Sequence, residues 1–368
     1  MRESVPVARR NILADRRRLA VGVLGVGLAV ALILLLQGLW GGWLGLISAY
    51  EDGVGAQLYV GEPGTRDLVG ESSVVPEAMV KTIRSVPGVD RADPISTRYV
   101  ILDLHDNKVP VVLVGYVPGQ AGGPWNVVDG RAVQADDELV MDRTLADDHG
   151  IRLGDQIEVL GRPFRVTGYS TGTRTIMGGG ILFTSLDAAN ELLGTPGKAS
   201  MILVRTGDPA AVADALRART RLSVLTADQI VLNDRALFAK TLGGPLDLMI
   251  LIAFAAGTLI VALTVYSAVV ERLREYGIAK AIGAGRGKLF KIVLGQTIAL
   301  AGLGTTAGFL IYRLASWIIA TVLPEFRSEL SMRDIGAVVA AAGLMALLAA
   351  VAPSRRIGRL DPASVYRG

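Results

Sequence analysis

The sequence predicts an α-helical membrane protein with four transmembrane helices in a one-plus-three order, and a large extracytoplasmic α+β domain between the first and second helices. Three observations predict it. The 368 residues are 51% hydrophobic with a mean hydropathy of +0.44, more apolar than a water-soluble chain of this length. Long apolar runs stand near the N-terminus and in the last third of the chain. Between them, residues 51–244 are of mixed polarity and alternate between strand-like and helix-like patterns.

The first span rests on 19-LAVGVLGVGLAVALILLL-36, a run of 18 residues without a charge. At a rise of 1.5 Å per residue it covers roughly 27 Å, close to the thickness of the hydrocarbon core. Arg9 and Arg10 hint at a twin-arginine signal, but the run is too long for a signal-peptide core and lacks a small-residue cleavage site. An uncleaved helix over 19–50 is therefore expected, with an outer extension through Trp40 and Trp43, both suited to the interface. Further spans are expected over 245–270, 292–320 and 335–352. Lysine and arginine number six in 1–18, six in 271–291 and four in 353–368. Few acidic residues accompany them, so the positive-inside rule places these segments, and both termini, in the cytoplasm.

Inside the insert, 99-YVILDL-104, 109-VPVVLVGYV-117, 138-ELVMD-142, 156-QIEVL-160, 164-FRVTGYS-170 and 200-SMILVR-205 read as strands. Helical patterns fall at 76–86, 187–194 and 208–220, the last opened by Asp208 as N-cap and Pro209 at the first helical position. Turn pairs such as Pro87-Gly88 and Gly154-Asp155 separate the elements.

Several chemistries are excluded or weakened. With no cysteine there is no disulfide and no thiolate ligand or nucleophile, and His105 and His149 alone do not make a multi-histidine metal site. No intrinsic cofactor or metal is expected. The stretch 271-ERLREYGIAKAIGAGRGKLFK-291 resembles a phosphate cradle, with Gly283, Gly285 and Gly287 ahead of Lys288. A P-loop would need glycine where Ile282 stands and a hydroxyl where Leu289 stands. The chain thus carries no nucleotide site, and any ATP hydrolysis falls to another subunit. The near-neutral insert offers no basic stripe for nucleic acid. What the stretch does provide is a short helix with mixed charge at i, i+3 and i+4 spacing, followed by a glycine turn.

That motif, E-R-x-R-E-x-G-I-x-K-A-I-G-A at 271–284, resembles the signature of FtsX/MacB-type ABC transporter permeases. The C-terminal 353-PSRRIGRLDPASVYRG-368 is similar to the closing element of the same family, and residues 129–170 resemble its extracytoplasmic core domain. The resemblance implies a homodimer in the lipid bilayer of the plasma membrane, working with two copies of an ABC ATPase. It assigns Glu271, Arg272, Arg274, Glu275, Gly277, Lys280 and Gly283 to a cytoplasmic coupling helix that docks on the ATPase. No fused ATPase domain is expected, a departure from MacB itself. Gly22, Gly25, Ala253, Gly257, Gly304 and Gly308 are small residues suited to close packing between helices of the dimer.

Tyr50, Glu51, Met249 and Arg313 are the cargo candidates, because each falls near the outer membrane boundary. A thioether, a carboxylate or phenolate and a cation suit haem, whose iron takes the former and whose propionates take the latter. The layout is also similar to the haem-efflux (HrtB-like) branch. Helix arithmetic sets Met249 level with Gly41 rather than Glu51, so a shared site requires a tilt or a break at Gly41-Gly42. The competing expectations are export of lipid, glycolipid or lipoprotein, and FtsX-like mechanotransmission to an extracytoplasmic partner.

Overall fold

The computed structural model describes residues 16–68, 73–104, 107–175, 179–271, 273–282, 284–322 and 328–358. Packing divides the chain into two compact units, Trp43–Leu242 and the combination of Met1–Gly42 with Gly243–Gly368.

The first helix, α1 (Arg16–Ile47), runs unbroken through Gly41 and Gly42. There is no break at that pair. The notch at Gly41 is instead filled by the Glu329 carbonyl, and the Glu329 N–H donates to the Gly38 carbonyl at 2.9 Å. Ser48 interrupts the helix, and α2 (Ala49–Val54) follows. Gly55 stops it in the left-handed conformation at φ 64°, which a side chain would strain.

The outer domain is built on β1 (Leu58–Gly61), β2 (Val75–Pro76), α3 (Met79–Arg84), β3 (Arg91–Leu104), β4 (Asn107–Tyr116), β5 (Val127–Gly130) and β6 (Glu138–Asp142). It continues with α4 (Arg143–His149), β7 (Gln156–Val159), β8 (Arg162–Ser170), β9 (Ile181–Ser185), α5 (Leu186–Leu193), β10 (Lys198–Ala199), β11 (Met201–Arg205), α6 (Pro209–Arg219), β12 (Ser223–Thr226) and α7 (Ala227–Phe238). Ten strands form one mixed sheet in the order β12-β1-β11-β3-β4-β9-β6-β8-β5, with β7 paired to β8. The strand that enters the domain, β1, pairs directly with the strand that leaves it, β12.

Each strand expected from the sequence is present, and α3, α5 and α6 answer to the expected helical patterns. Along β3 the period of two is visible as buried Val100, Leu102 and Leu104 around exposed Ile101. The strand starts at Arg91, earlier than its apolar run, because Asp93, Pro94, Ser96 and Thr97 dilute the hydrophobic signal. The cap of α6 forms as read, with Asp208 accepting from the Ala211 N–H.

After the domain, α7 continues without a break to Glu271, giving a helix of 45 residues where the sequence suggested a start at 245. A π-helical turn at Ala239–Gly243 precedes α8 (Gly244–Glu271). Pro245 lacks the N–H that would bond the Thr241 carbonyl, and the wider turn absorbs that loss. The remaining helices are α9 (Leu273–Ala281), α10 (Arg286–Val322) and α11 (Met332–Gly358). Four helices are long and apolar enough to cross a membrane: Leu19–Ile47, Ala227–Glu271, Gly287–Thr321 and Met332–Arg355.

Inside this membrane unit the small residues are used within the chain. A Cβ on Gly22 would press on Thr264, one on Gly25 on Ile260, and one on Gly257 on Ala29. Gly304 and Gly308 lie against Val26, Val30 and the backbone of Gly27. These positions, with buried Ala253, therefore hold α1, α8 and α10 together within one chain.

Candidate functional site

Two places carry functional side chains. The first is α9. Glu271 closes α8, and Arg274, Glu275, Gly277 and Lys280 lie on α9, while Arg272 and Gly283 lie outside the described residues. Tyr276 and Gly277 are buried, and Glu271, Arg274 and Glu275 are exposed. The exposed face holds something the charge pattern did not reveal. Ile278 is 39% exposed and Ile282 is 82% exposed. Positions 271, 275, 278 and 282 follow helical spacing, so two isoleucines extend the stripe begun by two glutamates. The two isoleucines stand in the G-I-x-K-A-I run, where the mixed charge at i, i+3 and i+4 spacing is the more prominent pattern.

The second place is a cavity of about 40 Å³ within the outer domain. Its walls come from the end of α1, from α2, β3, β4, β9 and α7, with Leu68, Arg174 and Thr175 from loops. Half-exposed Leu46, Ile47 and Phe238 form its apolar rim, and buried Tyr50, Glu51 and Asp234 lie deeper. Tyr50 is fixed by donating its hydroxyl hydrogen bond to the Gly122 carbonyl at 2.9 Å and by an edge contact with Trp125.

Glu51 is 3% exposed, and among the described residues neither of its carboxylate oxygens receives a hydrogen bond from an N–H or O–H group. Asp234, 2% exposed, faces it from α7 and accepts from the Leu68 N–H at 3.3 Å. Burial pushes the Glu51 carboxyl well above the usual carboxylate range, and the charge of Asp234 adds to the shift. Burial raises Asp234 as well. Asp234 raises Glu51, whereas Glu51 works against the rise of Asp234, so the two acids titrate as a pair. Burial, with the charges of Asp234 and Glu51, also pushes Tyr99 up to about 12. Nearby, Arg235 holds the end of α1 by donating to the Leu44 carbonyl at 3.3 Å and to Ser48 Oγ at 2.9 Å.

Of the four cargo candidates, Tyr50 and Glu51 line this cavity and Met249 and Arg313 do not. Met249 is an exposed residue of α8, and Arg313 an exposed residue of α10. The acid that does meet Glu51 is Asp234, whose place in the site sequence spacing could not indicate. Among the described residues no group of three or more histidines, cysteines or acids is placed to hold a metal ion.

Four apolar helices, a charged inter-helix turn and a domain inserted after the first helix define the class: a multi-pass membrane protein of the permease type. The comparisons with known proteins agree. The profile of the MacB-like periplasmic core domain matches residues 20–221, and that of the FtsX-like permease C-terminal region matches 248–362. The chain belongs to the FtsX/MacB-type family of ABC transporter permeases. An uncharacterized ABC transporter permease of Mycobacterium tuberculosis is 25% identical over 98% of this chain and 99% of its own length. The macrolide export ATP-binding/permease protein MacB of Syntrophobacter fumaroxidans is 30% identical over 42% of this chain, which spans 23% of that protein. Among solved structures, the periplasmic region of MacB from Actinobacillus actinomycetemcomitans aligns with a TM-score of 0.37 at 14% identity, covering 49% of this chain and 92% of that one.

Proposed function

We propose that this permease couples ATP hydrolysis by a separate ABC ATPase subunit to extraction and efflux of a membrane amphiphile. It works as a homodimer with two ATPase copies, and both termini are cytoplasmic. The observation that carries this reading is the exposed stripe at α9. Glu275 and Ile278 are exposed on this short helix between two spans, with Glu271 just before it and Ile282 just after it, and together they offer a charged and apolar surface. Such a surface suits a groove on a partner and can pass on a rigid-body displacement. No chemistry is assigned to this chain itself.

Haem is the cargo that the sequence resemblance suggests, and Tyr50 and Glu51 are ligand types that iron accepts. The cavity beside them has room for about three waters. Haem binding there therefore requires α2 and α7 to part.

The test is ATPase activity of the reconstituted permease–ATPase complex, with and without haem in the lipid. Glu275→Lys is expected to abolish the coupling of the two subunits, measured as loss of permease-dependent stimulation. Full stimulation in both Glu275→Lys and Ile282→Asp would remove α9 as the docking element. A haem response in the wild type, absent in Glu51→Ala, would support haem, and its absence with basal activity intact would exclude haem alone.

A further inference from the structure

The Glu51–Asp234 cavity is a site whose ligand chemistry can be read from its walls. Its deep end is acidic and its rim is apolar. Glu51 is buried, lines the cavity and, among the described residues, receives no hydrogen bond from a protein donor. Asp234 stands against it, and the charge of Asp52 bears on Glu51 as well. Two described arginines stand close by, each with a partner of its own. Arg174, on the wall, is ion-paired with Asp148 at 3.1 Å. Arg235 donates to the Leu44 carbonyl and Ser48 Oγ. Among the described residues, Glu51 has Asp234 opposite it and no basic side chain hydrogen-bonded to it. A buried carboxylate in that state calls for a proton or a cation.

The walls narrow the choice. Val112, Val114 and Ile181 are buried along the cavity, and Leu46, Ile47 and Phe238 are half-exposed at its rim. Leu46 and Ile47 belong to the last turn of the first membrane helix. A hydrated inorganic cation gains nothing from such walls, and an anion is repelled by the floor. The volume of about 40 Å³ admits a group the size of an aminomethyl head and no ring system. Tyr50 and Tyr99 place aromatic rings on the same lining, a surrounding that favours an ammonium.

We propose that this cavity binds the primary ammonium head of an aliphatic amphiphile. The nitrogen sits between Glu51 and Asp234, and the chain leaves over Leu46, Ile47 and Phe238. This rests on the efflux reading only in taking the amine as a cargo class, and binding is measured without the ATPase.

The experiment is calorimetric titration of the full chain in lipid nanodiscs, with empty nanodiscs as reference. The probes are dodecylamine, dodecanol and dodecanoate, which share one chain and differ in the head. Saturable binding of the amine alone is expected. It should weaken about tenfold or more in Glu51→Gln and in Asp234→Asn, and persist in Glu51→Asp. Thermal unfolding of each variant separates loss of the site from loss of the fold. Equal uptake of amine and alcohol, or unchanged amine affinity in a folded Glu51→Gln protein, overturns the proposal. So does a pH-dependent stability that Glu51→Gln abolishes without any saturable amine binding, because the pair then holds only a proton. If the amine binds but fails to stimulate the ATPase of a complex whose coupling is intact, the site stands and its role as a cargo site falls.

Discussion

Glu138 and Glu51 lie in the same outer domain at the same depth, 2% and 3% exposed, yet they are opposites. Glu138 is surrounded by donors. Arg131 grips both its oxygens, Arg165 reaches it at 3.2 Å and the Gln134 N–H donates at 3.0 Å. The hydrogen bond from Arg131, opposed by burial, holds its carboxyl down at about 2. Among the described residues Glu51 has no such donors and meets another acid, so burial drives it upward. Burial alone therefore does not tell what an acidic residue is for. A saturated carboxylate such as Glu138 fixes the strand that carries it, here the start of β6. An unsaturated one lowers the stability of the fold, and its retention is explained by a ligand or a proton.

The largest expected effect comes from breaking the saturated site. Glu138→Ala removes four hydrogen bonds and leaves two guanidinium groups without their acid. Arg131 and Arg165 are 44% and 50% exposed, so water can take them back. The cost is therefore expected below that of a fully buried pair, at about 2–3 kcal/mol of unfolding free energy. Denaturant unfolding of the full chain in detergent measures it. A loss under about 0.5 kcal/mol would place Glu138 among ordinary surface pairs.

The comparison sharpens when stability is followed against pH. Glu138 is depressed in the fold, so its contribution is present above the ordinary carboxylate range and is lost as pH falls from about 4.5 toward 2. Glu51 and Asp234 are raised, so the folded chain holds protons that the unfolded chain has released. Their contribution is complete at acid pH and is lost as pH rises from the ordinary range through the raised folded values. Thermal midpoints across pH should fall on both sides of a mildly acidic maximum. Glu138→Gln should blunt the acid limb and Glu51→Gln the alkaline limb. If either variant shifts the other limb, the assignments are exchanged or wrong.

How much of this the sequence could show depends on how local each feature is. The Asp208-Pro209 cap, the period of β3 and the 271–284 motif are written in consecutive residues, and they were legible. The capping box that starts α7, Thr226 with Gln229, is equally local. It does not stand out as the start of a span because the strongly apolar run begins only after Gly243-Gly244-Pro245. The Glu51–Asp234 pair was not legible at all. It arises because β1 and β12 pair, which brings the segments flanking them, α2 and α7, into one cavity wall. Counting along straight helices placed Met249 and Arg313 near the outer boundary, with Met249 level with Gly41 rather than Glu51, but could not assign them to a face. The Arg131–Glu138 grip had a partial signal in the 129–170 run, where arginine and glutamate stand seven positions apart.

The smallest expected effect is the most informative, because its sign is unusual. Glu51→Gln removes a buried acid yet should not destabilise the chain. Above the raised titration range the wild-type fold carries two facing carboxylates that lack enough donors, at a cost of roughly 1–2 kcal/mol. The amide keeps the shape, adds N–H donors toward Asp234 and cannot ionise. The variant should equal wild type at acid pH and exceed it by about 1 kcal/mol at alkaline pH. The amine probe should erase that difference by stabilising wild type and leaving the variant unchanged. A Glu51→Gln protein less stable than wild type at every pH would mean that the carboxylate is satisfied in the fold. The contrast with Glu138 would then collapse, and the cavity would be a structural feature with no vacancy for a cation.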